Sequence, residues 1–336
     1  MAYGENRRAS RSVHRRLYCR GVRFHTYAIG MLSRFRGIDR REGMLVEGPA
    51  GWAEFSPFLD YEVPDCVPWL RCALESASQP WPEPLRDRVP VNCTVPVVPA
   101  ETAHRIVTES GCQTAKVKVG GPDTNPADDE GRLEAVRDAL GPAGRIRIDV
   151  NGLWGVDEAV RLLARFEKAA NELEYVEQPC ATLDELAALR RKVDVPVAAD
   201  ESIRRADDPL RAARMEAADI AVLKVQPLGG IQSCLRIAEQ IGLPVVVSSA
   251  VETSVGLAVG VALAAALPEL PYACGLATTS LLAGDVVAEP LRPHRGAVPV
   301  GRIAPDSAQQ AAAADAETEM RWQQRLAAVR EEMARV

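Results

Sequence analysis

Two rhythms of apolar and polar positions divide the chain. From about Phe24 to Asp60, short alternating stretches predict antiparallel strands: Phe24–Ile29, then Gly43–Glu47 and Gly51–Phe55 around the turn Gly48-Pro49-Ala50-Gly51. A helix is predicted near Asp65–Glu75, with Trp69, Leu70 and Leu74 on one side, ahead of a proline-rich stretch over Pro80–Pro84. Together these elements predict a small α+β domain. Beyond it, apolar strands alternate with helical segments. Strands are predicted over Val89–Val95, Ala115–Val119, Arg145–Val150, Leu173–Glu177, Val195–Ala199, Ala218–Val225, Leu243–Ser248 and a short last one near Ala273–Leu276. Between them the apolar residues recur at helical spacing, as at Val160, Leu163, Ala164 and Phe166. Such alternation implies parallel strands joined by right-handed crossovers. Eight units fit a closed (β/α) barrel better than an open doubly wound sheet. No Gly-x-Gly-x-x-Gly follows the first strand, which argues against dinucleotide binding.

Composition narrows the class. The chain has 336 residues, 47% of them hydrophobic, so a sizeable core needs no staples. Val255–Leu267 is apolar but shorter than the roughly 20 residues that cross a bilayer, and is expected to be a buried helix. The net charge of −6 argues against nucleic acid as a partner. Eight scattered cysteines without a Cys-x-x-Cys pair read as free thiols of a cytoplasmic protein. The first residues differ: Arg7, Arg8, Arg11, Arg15, Arg16, Arg20 and Arg23 face only Glu5. This arm over residues 1–22 is expected to be disordered or an extension from an upstream start; the sharper alternative is an arm for an acidic partner. The tail from Asp306 is rich in Ala, Gln and charge, and is expected to form a surface helix or to fray.

The informative charges lie inside apolar strands. Alternate residues of a barrel strand point inward. In Ala115-Lys116-Val117-Lys118-Val119 both lysines are then inward, and Arg147, Asp149 and Asn151 share the inward face of the next strand. Glu177 follows on the inward side with Tyr175, Asp200 closes the strand ending at Ala199, and Lys224 lies in Val222-Leu223-Lys224-Val225. Five successive strands thus end in an inward charge: Lys118, Asp149, Glu177, Asp200, Lys224. The C-terminal rim is where barrel enzymes place their chemistry. Three adjacent carboxylates repel one another unless a cation intervenes, and oxygen ligands without His or Cys select Mg²⁺ or Mn²⁺. A lone inward pair such as Lys116–Asp149 or Lys224–Asp200 could be a buried ion pair, but structural pairs have no reason to recur at successive strand ends. Lys116 fits a supporting electrostatic role. Arg147 is balanced between a structural ion pair and a substrate contact.

These residues also carry a resemblance. Lys116-Val-Lys118, Asp149-Val-Asn151, Glu177-Gln178-Pro179, Ala199-Asp200-Glu201-Ser202 and Leu223 through Gly230 resemble the muconate-lactonising branch of the enolase superfamily. Phe35-Arg36-Gly37-Ile38, Arg41-Glu42-Gly43, Gly51 through Phe58 and Ser248 through Ser254 narrow the resemblance to the o-succinylbenzoate synthases of menaquinone biosynthesis, in their actinobacterial form. It implies a modified barrel, (β/α)7β, over 89–284, an α+β capping or lid domain over 23–88, and a segment over 285–336 that returns to it through Asp285–Arg302. It implies a lyase, binding a small carboxylate, that dehydrates 2-succinyl-6-hydroxy-2,4-cyclohexadiene-1-carboxylate. Lys118 would be the base and then the acid, Lys224 the charge opposite, and Asp149, Glu177 and Asp200 the metal ligands. Substrate contacts would come from Lys116, Arg147, Asn151, Ser249, Ala250 and Arg36. Ala250 departs from relatives that carry a third serine there. An N-succinylamino-acid racemase or dipeptide epimerase is the nearest alternative, and a non-catalytic metal-binding relative a remote one. Nothing in the pattern demands an oligomer; a monomer is compatible.

Overall fold

The computed structural model describes residues 21–336 apart from Asp123, Asp207 and Val336. Nearly all of the arginine-rich arm therefore lies outside the described residues.

The first domain is a three-stranded antiparallel sheet, β1 (Arg23–Phe35), β2 (Ile38–Gly48) and β3 (Gly51–Phe55), backed by helix α1 (Val67–Ser78). The first two strands run further than their apolar alternation predicts. They continue as a hairpin whose two-residue tip is Arg36-Gly37, both at positive φ (51° and 77°), with Met31, Phe35 and Ile38 packed against the first domain's core. That tip geometry matches the twist of paired strands, and a glycine at its second position takes it without strain. Trp69, Leu70 and Leu74 of α1 are buried against Met44, Leu45, Val46 and Phe55.

Seven parallel strands follow in strict neighbour order: β5 (Cys93–Val95), β6 (Thr114–Lys118), β7 (Arg145–Asp149), β8 (Tyr175–Glu177), β9 (Val197–Ala199), β10 (Ile220–Lys224) and β11 (Val245–Ser248). The eighth position is a pair of bridges, Val91 with Cys274 and Ser248 with Gly275, which close the barrel near the predicted Ala273–Leu276. The predicted strand Val89–Val95 is divided. Its first part, β4 (Arg88–Pro90), pairs antiparallel with β12 (Ala297–Pro299), leaving β5 to the barrel. Pro90 has no N–H to give a ladder, so an edge pairing suits it.

Helices α2 (Ala100–Ser110), α3 (Pro126–Leu140), α4 (Val156–Ala170), α5 (Leu183–Arg190), the single turns α6 (Glu201–Arg204) and α7 (Arg211–Arg214), α8 (Ile231–Ile241) and α9 (Ser254–Ala266) surround the strands. The main core lies between them: Val117, Ile146, Ile148 and Val176 point outward to Leu133, Leu163 and Phe166. Helix α9 is buried along nearly its whole length, as its lack of a polar face predicts. A separate small cluster, Tyr175, Ala198, Ile220, Val222 and Val246, fills the barrel interior. After α10 (Ala308–Ala311), the tail forms the packed surface helix, the first of the two expectations for it, as α11 (Ala316–Arg335). Its Trp322, Leu326 and Val329 are buried in the core of the first domain, with Trp322 edge-on to Phe55. The helix has an apolar stripe sparse enough to be hidden by its polar composition. No described helix is long and apolar enough to cross a membrane, and the seven described cysteines are buried and free.

Candidate active site

Strand register brings the charged strand ends to one level. Lys118 is the Cα partner of Asp149, and Asp149 of Glu177. Asp200 follows the last residue of β9, and Lys224 closes β10 beside Ser248. Above them the tip of the β1–β2 hairpin and the loop with Phe58 and Tyr61 form a wall. The enclosed cleft of about 580 Å³, its open mouth included, is bordered by Lys116, Lys118, Asp149, Asn151, Lys224, Ser249, Ala250 and Arg36, among others. Glu177 and Asp200 are fully buried and do not border it; lysine and arginine side chains cover them.

The charges interlock. The Lys118 ammonium donates to Asp149 Oδ2 and to Asn151 Oδ1, both at 2.6 Å. Lys116 lies below, 2.9 Å from both oxygens of Glu177 and 3.4 Å from Asp149. Lys224 stands 2.5 Å from Asp200 Oδ2, whose other oxygen accepts from Arg204 Nε at 3.0 Å. Burial opposes ionisation of Asp149, yet Lys118 and Lys116 outweigh it and hold that carboxyl well below its ordinary value. Asp200 is held low likewise, burial being outweighed by Arg204 and Lys224. Glu177 goes the other way: burial, then the charge of Asp149, push it up to about 7 despite Lys116. For Lys116 itself, burial is outweighed by Glu177 and Asp149, which raise its pKa and keep it charged.

Among the described residues, no group of three or more His, Cys, Asp or Glu side chains converges as a ready metal cage. The ammonium groups of Lys116 and Lys224 lie against the carboxylates that such a cage would use. The donor chemistry still fits a hard divalent ion, because the three carboxylates offer oxygen alone and Glu177 remains under-compensated.

Asn151 is held at φ 54° by the bond of its N–H to Asp149 Oδ1 at 3.2 Å, and its amide reaches Glu201 at 3.2 Å. Ser249 Oγ donates to Gly275 O at 2.7 Å and lies 2.9 Å from Thr278 Oγ1. The Ala250 N–H is taken by Glu252 Oε2 at 2.7 Å, so it is not a free donor for a substrate carboxylate. Arg36 stacks on Phe58, 4.1 Å from the ring centre. Arg147 is a correction. It is fully buried one layer below the rim, paired with Glu174, donating to Asn92 and to Ala273 O, and stacked between Tyr175 and Tyr272. Inward parity is shared by Arg147 and Asp149, but two residues of rise, about 6.6 Å along a strand, separate closed interior from open rim.

Two residues escaped the sequence reading. Arg204 borders the cleft and joins Asp200 to Glu201 and to the Tyr61 hydroxyl of the first domain. Its i+4 spacing from Asp200 was the available signal. Gln178, at φ 41°, accepts the N–H groups of Asp200 (3.0 Å) and Ser202 (3.2 Å), bracing the strand end that carries Asp200.

The chain matches the family models described as enolase N-terminal domain-like, over residues 26–77, and enolase C-terminal domain-like, over residues 99–306. It is 62% identical to the o-succinylbenzoate synthase of Thermobifida fusca, over 90% of this chain and 95% of that one. To the o-succinylbenzoate synthase of Mycolicibacterium smegmatis it is 54% identical, over 89% and 92%. Among solved structures, an N-succinyl Arg/Lys racemase from Bacillus cereus superposes with a TM-score of 0.72 at 20% identity, covering 88% of this chain and 97% of that one. A dipeptide epimerase from Enterococcus faecalis gives 0.70 at 21%, covering 84% and 97%. The last two share the fold; the first two place this chain in the o-succinylbenzoate synthase family of the enolase superfamily.

Proposed function

We propose that the charged rim forms 2-succinylbenzoate, the product named in the chain's relatives, by loss of water from 2-succinyl-6-hydroxy-2,4-cyclohexadiene-1-carboxylate. The observation that carries the reading is the pairing of two cleft-facing lysines with separate carboxylates, Lys118 with Asp149 and Lys224 with Asp200.

Lys118 is the proton carrier. Asp149 and Asn151 fix its ammonium from two sides, which aims the Nζ into the cleft. As the free amine it takes the proton from the carbon bearing the substrate carboxylate, and the C–H electron pair moves into the enolate. It then returns that proton to the departing hydroxyl on the same face; the C–O bond breaks, water leaves and the ring becomes aromatic. Lys224, tied to Asp200, keeps its charge and faces the enolate as an electrostatic partner. Lys116 stays charged under Glu177 and holds the carboxylate layer together. Asp149, Glu177 and Asp200 would hold a divalent ion, Mg²⁺ or Mn²⁺, which supplies positive charge to the enolate oxygens when bound. Phe58, Trp69 and the stacked Arg36 wall the cleft and exclude water.

The test is turnover of the cyclohexadiene substrate with Mg²⁺ and again after chelation, beside solvent-deuterium exchange into N-succinylamino acids. Chelator-sensitive dehydration is expected. Racemisation faster than dehydration would reverse the assignment.

A further inference from the structure

One wall of the cleft, Ser248 to Val251, runs directly into α9. That helix does not cap itself. Thr253 stands at the N-cap, yet its hydroxyl makes no bond to the first helical N–H groups. Its N–H donates instead to Glu54 Oε2 at 3.0 Å, and its hydroxyl donates to the same oxygen. Glu54 belongs to β3, in the other domain. The next residue, Ser254, gives its hydroxyl to Asp285 at 2.6 Å and its N–H to the same carboxylate. Two carboxylates from outside the barrel proper thus take the helix's leading donors, where the helix dipole favours negative charge.

Glu54 is 1% exposed, and its other oxygen accepts from Tyr27 OH at 2.8 Å and Ser56 Oγ at 2.6 Å. The same stretch reaches the neighbouring strand end: Ser56 N–H donates to Gln226, two residues past Lys224, at 3.3 Å. Arg41 donates to the carbonyls of Val251, Ala250 and Ser56, drawing the loop toward the sheet. Gly256 makes room for the contact, since a Cβ there would stand 2.7 Å from Glu54 Oε2.

We propose that Glu54 is a positioning residue, through which the first domain's sheet sets the Ser248–Thr253 wall of the substrate cleft. It deepens the dehydration reading and rests on it for the identity of the substrate. Neither Lys118 nor Lys224 is among the bonding partners of Glu54, so its loss acts on substrate binding and leaves the chemical step nearly intact.

Three variants of the full chain test this: Glu54→Ala, Glu54→Gln and Gly256→Ala. Glu54→Ala leaves Thr253 and Tyr27 without an acceptor, and KM is expected to rise about tenfold with kcat within about threefold. Glu54→Gln keeps a carbonyl oxygen for Thr253 while its amide faces two hydroxyls able to accept. Its KM is expected to stay within about threefold of the parent. Gly256→Ala displaces the contact from the helix side and should reproduce the Glu54→Ala effect, without adding to it in the double variant. Amide hydrogen exchange gives a readout that needs no turnover: exchange over residues 248–256 should accelerate in Glu54→Ala, with 115–119 and 145–150 unchanged. If the parent fails to dehydrate the substrate, the functional reading falls while the exchange pattern still decides the positioning role. Unaltered exchange over 248–256 would overturn the proposal. So would equal KM rises in the Ala and Gln variants with exchange accelerated throughout the barrel.

Discussion

The barrel holds buried charge in two layers, and they behave differently. In the lower layer Arg147 has one carboxylate partner, Glu174, two further acceptors and a tyrosine ring on either side. In the rim, Lys116, Lys118, Lys224 and Arg204 share Asp149, Glu177 and Asp200, and most of these cations face a cleft. A charge sealed with its counter-charge is structural, and removing one partner strands the other in a low-dielectric interior. A charge set with shared partners and an opening can exchange a partner for a substrate. Lys116 and Arg147 are neighbours at one strand level, so the partners each side chain reaches, and not strand depth alone, separate the two roles.

The contrast breaks most sharply at Lys118 and Arg147. Lys118→Ala is expected to lower kcat by at least about 10³-fold, within the range of general acid–base catalysis, with little change in thermal midpoint. Substantial remaining turnover, measured with the divalent ion present, would remove Lys118 from the role assigned. Arg147→Met should do the opposite, costing about 1–3 kcal/mol in denaturant unfolding because half-buried Glu174 and buried Asn92 lose a partner. The protein that does fold should keep kcat within a few-fold. A kcat loss at full stability would return Arg147 to the site.

Glu54 tests whether the contrast extends to the domain boundary. Burial, then Glu252, push its carboxyl up to about 7 against the pull of Arg41. With the folded pKa above the ordinary glutamate value of 4.5, the folded state binds the proton more tightly. That contribution is complete below about pH 4.5, is lost as pH rises toward about 7, and is flat above. Stability of the parent minus Glu54→Gln should therefore decline over this window, by at most about 1.4 kcal/mol per pH unit. A flat difference from pH 5 to 8 would mean Glu54 is ionised throughout. The smallest effect is expected at the tip of the β1–β2 hairpin. Arg36→Ala removes a stacking contribution of about 0.5–1 kcal/mol and should raise KM about threefold without altering kcat.

Much of this was legible in the sequence for identifiable reasons. Period-two alternation with valine and isoleucine outward placed Lys116, Lys118, Arg147 and Asp149 on one face, and the strand–helix rhythm placed the barrel. The same alternation could not say that Arg147 lies below the rim, since parity repeats every two residues and carries no depth. The hairpin beyond Gly30 and Gly43 was not legible because regular alternation breaks there: the ladder shifts register between Gly30 and Phe35, Leu32 is exposed beside half-buried Met31, and Arg41 is buried. Helix α11 was legible as a surface helix, but not where it packs, because Trp322, Leu326 and Val329 are buried by a first domain some 250 positions earlier in the chain.

The sequence by itself determined the kinds of charge, their order around the barrel and the apolar strands that carry them, because local alternation and spacing are written residue by residue. Only the tertiary structure decided which charges are sealed and which are open, and which groups from the other domain hold the cleft. Glu54 at Thr253, Arg204 at Tyr61 and Arg147 at Glu174 are contacts set by how elements dock. Burial and partner choice depend on the packing of the whole chain, and no local window of residues contains them.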